Sequence, residues 1–358
     1  MVTAPSVTHA PSGYIWTAKS PMPTARSQLS AVAAGGYIFV MGGIGTQQVA
    51  LATNERYDPS NDQWTARTGI PSGGRADFGA ATLNGKVYIA GGVDAIGNCL
   101  SSMEEFDVTT DTWRSRTGMS VARAGLALVA AGGFLFAIGG HCIDSSHSEQ
   151  AMNIVERYYP GDNSWTNKTN MLVSLNRLYA VTLGNTVYVI GADMPTVSMY
   201  SPYSNVWTRL AGLNSTSQDV SVYAAATLSS SSSIIEMIGY VNSPAGGFSG
   251  NETIEYDTAI NQWVNRTANP YASQYSALTG INGTVYATGG VGAPPGLLPL
   301  SKNEAYNFPS EQKPPAQTIS LLNLVITAVV LGALFIVGLV VVRTRRRKSK
   351  KRRKGDGG

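Results

Sequence analysis

The chain has 358 residues, 43% of them apolar and only 13% charged, which is enough for one or two domains with a sizeable core. Its net charge of +4 is unevenly spread, because residues 343–358 hold ten Lys/Arg and one Asp and leave 16 basic against 21 acidic residues before them. A mildly acidic body excludes nucleic-acid binding by that body, since phosphate recognition needs a cationic face.

Residues 1–12 lack both the cationic start and the apolar run of a signal peptide, and read as a disordered N-terminal segment. The stretch "SGYIWTAKSPMPTAR" then opens on Trp16, the first of six tryptophans. The other five, Trp64, Trp113, Trp165, Trp207 and Trp263, each follow a Tyr or Phe by seven residues: Tyr57, Phe106, Tyr158, Tyr200 and Tyr256. An Asp or Asn stands two before each of those five tryptophans, which is hairpin-turn chemistry, because these residues tolerate the turn and bond their own backbone.

A glycine pair or its remnant follows each tryptophan by 26 or 27 residues, except after Trp207, where Gly239 lies 32 residues on and "LSSSSS" lengthens a hairpin. Between these markers run short apolar stretches such as "YIFVMGG", "KVYIAGG", "FLFAIGG" and "TVYATGG", strand-like in length and composition. With 39 Gly and 17 Tyr, the body reads as all-β.

Repeats of about 50 residues with a Gly-Gly, a third-strand aromatic and a fourth-strand Trp resemble the kelch family, including the kelch-like part of galactose oxidase. The resemblance covers residues 13–308 and implies a six-bladed β-propeller of four-stranded blades around a channel. The sixth aromatic, Tyr306, has no Trp seven residues later, so Trp16 is its expected partner and the N-terminal strand is expected to close the last blade. An aromatic stands three before the first glycine in five repeats, but Glu236 takes that place in the fifth. Glu236 is therefore either a functional acid or the mark of a shifted strand, and the shift is favoured because that repeat is already irregular.

Chemistry is sparse. The three histidines are His9, His141 and His147, and the copper site of galactose oxidase does not carry over onto them. "GGHCIDSSH" matches no metal spacing, so neither metal nor cofactor is expected, and the stretch reads as a loop. Cys99 and Cys142 fall in equivalent loops of adjacent repeats and suit a disulfide, with two free thiols as the alternative. In kelch relatives, the loop before the first strand supplies arginines to the channel mouth. The resemblance thus points to Arg26, Arg75, Arg123 and Arg177 as a cationic rim for carboxylate or sulfate groups, with structural bracing of the loops an equal alternative.

Residues 309–318 read as a linker, and Ile319 to Val342 form 24 uncharged residues, enough for a helix to cross about 30 Å of hydrocarbon. The basic tail 343–358 that follows belongs on the cytoplasmic side, where residues 343–354 suit anionic lipid. The body is then extracellular or luminal, with a signal sequence upstream or removed. Asn167, Asn214, Asn251, Asn265 and Asn282 are its glycosylation acceptors. The sequence thus points to a single-pass type I membrane glycoprotein whose propeller binds a protein or glycan, more a binding module than an enzyme. Two alternatives stand beside it: a mutarotase- or epimerase-like sugar enzyme of the secretory pathway using Glu236, and a cytosolic tail-anchored scaffold.

Overall fold

The structure is a computed structural model that describes residues 15–307, apart from 144–148, 192–196, 211–219, 228–232, 243–247, 250–251, 259, 267–268, 270–272, 274 and 293–297. The N-terminal segment 1–12, the linker, the span 319–342 and the tail lie outside the described residues, as do His9, His147, Asn214 and Asn251. Among the described residues no helix is long and apolar enough to cross a membrane.

Five sheets are four-stranded antiparallel blades. Blade one comprises Ser30–Ala34, Tyr37–Met41, Asn54–Asp58 and Gln63–Arg67, and blade two Gly79–Leu83, Lys86–Ala90, Met103–Asp107 and Thr112–Arg116. Blade three comprises Ala127–Ala131, Phe134–Ile138, Val155–Tyr159 and Ser164–Asn167, and blade four Leu178–Leu183, Thr186–Gly191, Val197–Ser201 and Val206–Arg209. The closing blade joins Ala277–Ile281, Thr284–Thr288 and Asn303–Asn307 to Ile15–Ala18 from the other end of the chain.

Between blade four and the closing blade lies a five-stranded sheet: Val220–Thr227, Ser233–Asn242, Glu252–Asp257 and Gln262–Arg266, with Phe248–Ser249 at its second strand. The first strand of each sheet packs on the first strand of the next, and the circuit closes where Ala277–Ile281 meets Ser30–Ala34. This is a β-propeller.

The tryptophan repeat explains how neighbouring blades adhere. Within each blade the Trp stacks on the third-strand aromatic opposite it, at 5.0 Å for Tyr57 and Trp64 and 4.8 Å for Phe106 and Trp113. Its indole N–H reaches back to the connector from the preceding blade: Trp113 donates to Thr68 O at 2.8 Å, Trp165 to Thr117 O at 2.7 Å and Trp207 to Thr169 O at 2.9 Å. The Asx residue accepts from the N–H of that same connector residue, at 3.2 Å for Asp111, 3.0 Å for Asn163 and 3.0 Å for Asn205. These Asx residues hold φ of 58, 53 and 57°, the left-handed region that Asn and Asp enter at least cost. One connector residue is thus gripped through both its N–H and its C=O.

A second contact crosses the same boundaries nearer the axis. Phe39 of blade one meets Phe106 of blade two, and Phe136 of blade three meets Tyr200 of blade four, each at 5.7 Å. Tyr286 of the closing blade meets Tyr57 at 5.7 Å. These rings fill the wedge between diverging sheets.

Trp16 pairs with Tyr306 in register and stacks on it at 4.9 Å, while its indole N–H donates to Thr253 Oγ1 at 3.1 Å. The N-terminal strand therefore covers the edge of Asn303–Asn307, as its half-motif implied. Deleting residues 1–18 should expose that edge and drive the chain into aggregates on size-exclusion chromatography; a monomeric, cooperatively unfolding product would overturn this account of closure.

Candidate functional site

The first glycine of three of the pairs is demanded by backbone crowding. A Cβ on Gly42 would stand 2.4 Å from Arg75 O, one on Gly91 2.5 Å from Arg123 O, and one on Gly289 2.5 Å from Arg26 O. The second glycine donates its N–H to that same carbonyl, at 2.8 Å from Gly43, 2.9 Å from Gly92 and 3.0 Å from Gly290. Each arginine carbonyl therefore locks onto the blade before its own.

The side chains of these arginines turn into their own blades. Arg26, Arg75 and Arg123 are 0% exposed and pair with Glu55 at 2.9 Å, Glu104 at 3.3 Å and Glu156 at 2.5 Å. They also donate to backbone carbonyls of the second strand or its end, Val40 O, Gly91 O and Ala137 O respectively. Burial pulls each guanidinium below its ordinary value, against the opposing pull of its glutamate. Of the two expected readings, rim and brace, the burial and ion pairing of these three fit the brace, because a fully buried, ion-paired guanidinium presents nothing to a ligand.

Arg177 belongs to a different position. In blade four the carbonyl bound by the glycine pair is that of Leu175, at 3.2 Å from Gly140 N, so Leu175 stands where the brace arginine stands elsewhere. The third-strand glutamate is replaced along with it, by Ser198 opposite Val189. Arg177 lies two residues further on, in register with Gln28, Asp77 and Gly125.

Those residues form the mouth of the channel. Asp77 N donates to Gln28 O at 3.0 Å, Gly125 N to Asp77 O at 2.8 Å, and Gln28 N to Tyr275 O at 3.0 Å, so backbone bonds run from blade to blade around the opening. Gln28, Asp77, Gly125 and Tyr275 all hold φ between 51 and 62°. Behind them lies a cavity of about 400 Å³ walled by small side chains of the first strands, such as Ala31, Ala80, Ala130 and Ala180.

At this mouth Arg177 is 29% exposed, with Nε 3.7 Å from Asp77 Oδ2, NH2 3.8 Å from Glu149 Oε1, and its guanidinium over the Tyr275 ring at 5.8 Å. Burial pushes the Asp77 carboxyl up, against the pull of Arg177 and His141. Such a cation, flanked by an aromatic face and an open cavity, suits an anionic or polar ligand group.

The kelch motif model matches residues 25–68 and 74–120, the first two blades and the loops that lead into them. The solved structure of YjhT superposes with a TM-score of 0.64 at 14% sequence identity, covering 80% of this chain and 96% of that one. The chain carries kelch motifs on a β-propeller. No curated protein sequence matches it significantly.

Elsewhere on the kelch propeller, Cys99 and Cys142 are joined as a disulfide, with Cα atoms 6.0 Å apart, linking the loops of blades two and three. Asn167 and Asn282 are exposed; the side chain of Asn265 lies outside the described residues, as does that of Glu236. Backbone pairing puts Ile235 opposite Glu255, the place of Tyr88 opposite Glu105 in blade two, while Glu236 faces Ile254 one residue further on. The first strand of that sheet has register shifts between Ser221 and Ala224. Among the described residues no cluster of His, Cys, Asp and Glu could hold a metal.

Sequence reasoning missed the glutamate partners. Their signal was present: a Glu two residues before the third-strand aromatic in "NERYD", "MEEFD", "VERYY" and "NEAYN". In the last of these Glu304 is buried and is held by Asn269 at 2.9 Å and Lys302 at 3.2 Å instead of an arginine.

Removing one partner of a buried pair strands the other charge and costs about 3–5 kcal/mol, whereas a partly exposed pair contributes about 1 kcal/mol or less. Arg75→Ala and Arg123→Ala should therefore each lower the unfolding free energy by about that larger amount, and Arg177→Ala by about 1 kcal/mol or less. Urea denaturation of the three variants checks this, and equal losses would contradict the division into braces and mouth.

Proposed function

We propose that this chain is a single-pass type I membrane glycoprotein whose kelch propeller binds a protein or glycan partner through the channel mouth. The observation that carries the binding reading is Arg177, the one member of the expected rim that is displaced from the brace position into the mouth ring, over a cavity of about 400 Å³. We count the five-stranded sheet as the sixth blade, since its first strand packs between those of blade four and the closing blade.

The membrane reading rests on the sequence. Twenty-four uncharged residues, 319–342, run directly into ten cationic ones, and the positive-inside bias sets the tail in the cytoplasm, with residues 343–354 against anionic lipid. A cystine and exposed acceptors at Asn167 and Asn282 suit an oxidising, glycosylating compartment.

Expressed full length in mammalian cells, the protein should fractionate with integral membrane proteins and shift to lower mass on endoglycosidase treatment. Asn167→Gln and Asn282→Gln should each reduce that shift. An unshifted band with a propeller accessible from the cytosol would replace this reading with the tail-anchored scaffold. On glycan and extracellular-protein arrays, Arg177→Ala should lose at least tenfold in binding while its melting temperature falls by no more than about 4 °C.

A further inference from the structure

The carboxylate of Glu149 sits among groups arranged to hold a carboxylate. Asn176 Nδ2 donates to Glu149 Oε2 at 3.3 Å, and Oε1 lies 3.8 Å from Arg177 NH2 and 3.9 Å from His141 Nε2. Asn176 and Arg177 come from the loop leading into blade four, whereas Glu149 and His141 come from the short hairpin of His141–Ile143 and Glu149–Ala151 in blade three. The imidazole is fixed by contact of Nδ1 with Asn176 O at 2.7 Å, and Asp77 takes the other side of Arg177. Glu149 itself is 38% exposed, in contrast to the buried glutamates of the braces.

The hairpin is also tied covalently to blade two. Cys142 faces Gln150 in its register and is bonded to Cys99 in the loop of blade two. That loop is itself organised by Asp94, which accepts from the N–H groups of Ile96 and Asn98, and by pairing of Val93 with Cys99. The cross-link thus adds a covalent tie to the strand pair that carries Glu149, beside the backbone bonds between His141 and Ala124.

We propose that Asn176, Arg177 and His141 form a binding site for a ligand carboxylate and that Glu149, positioned through the Cys99–Cys142 tether, is its built-in competitor. This rests on the reading of Arg177 as a mouth residue. A ligand carboxylate gains Arg177 by displacing Glu149, so the apparent affinity is reduced by the fraction of molecules in which the site is self-occupied. A competitor of this kind selects for ligands that offer more than one contact, since a lone carboxylate only replaces what is already there.

Citrate binding to the full-length protein in detergent, followed by isothermal titration calorimetry, tests the assignment. Glu149→Gln should tighten citrate binding at least fivefold, and Cys99→Ser with Cys142→Ser should shift it in the same direction. Adding Arg177→Ala to Glu149→Gln should abolish the gain. Unchanged or weaker citrate binding in Glu149→Gln overturns the competitor, and a gain in Glu149→Gln with none in the double-serine variant overturns the tether. If Arg177→Ala weakens binding in the unaltered chain while Glu149→Gln changes nothing, the mouth reading stands and the competitor alone falls. If Arg177→Ala has no effect in either background, the mouth reading falls as well.

Discussion

The carbonyl oxygen of a buried arginine, received between the two residues of a glycine pair on the preceding blade, is the contact on which this propeller turns. It brings two backbones closer than any Cβ allows, which is why Gly42, Gly91 and Gly289 cannot carry a side chain. The same arginine is anchored from its other end, because its guanidinium is buried in its own blade against Glu55, Glu104 or Glu156. One residue thus fixes both the spacing between blades and the path of the loop into the next first strand. A buried ion pair adds little net stability over an apolar substitute. Here its effect is geometric, since it sets where a carbonyl points.

From that contact the channel follows. With each loop fixed, the residue two positions after the arginine must turn sharply into the first strand, and Gln28 and Asp77 do so at φ of 51 and 53°. These residues then hydrogen-bond one another around the opening. A second grip operates at the periphery, where Trp and Asx hold a connector residue by its backbone C=O and N–H, and the aromatic rings fill the space between. Axis and rim are therefore secured by separate interactions.

Blade four keeps both grips, with Gly140 N–H still donating to Leu175 O at 3.2 Å, and loses only the buried ion pair. Leu175 and Ser198 replace the arginine and the glutamate together, which avoids leaving either charge unpaired, while Trp207 and Asn205 keep their contacts to Thr169. The loop into this blade then carries a cation in the ring position instead. The candidate site thus appears where a blade has dropped the buried arginine–glutamate brace, as expected if recognition falls to the residues that maintaining the repeat does not commit.

Much of the architecture was legible as spacing. Trp and aromatic at seven residues, Asx two before Trp, and Gly-Gly at 26 or 27 are local features, and each answers a local demand of turn, strand or crowding. The half-motif at Trp16 was enough to imply its pairing with Tyr306, because a strand edge needs a partner and no other tryptophan was available. The arginines were legible as a set but not as two kinds, since 14 and 16 residues from a glycine look alike in one dimension. A shift of two residues separates a side chain packed on a buried glutamate from one over a cavity, and which it is depends on the blade behind it. Likewise the glutamates of "NERYD" and "MEEFD" could be seen, but not their partners some thirty residues away. Periodicity records what each repeat requires of itself; burial and charge pairing arise between repeats, from the packing that closes the ring.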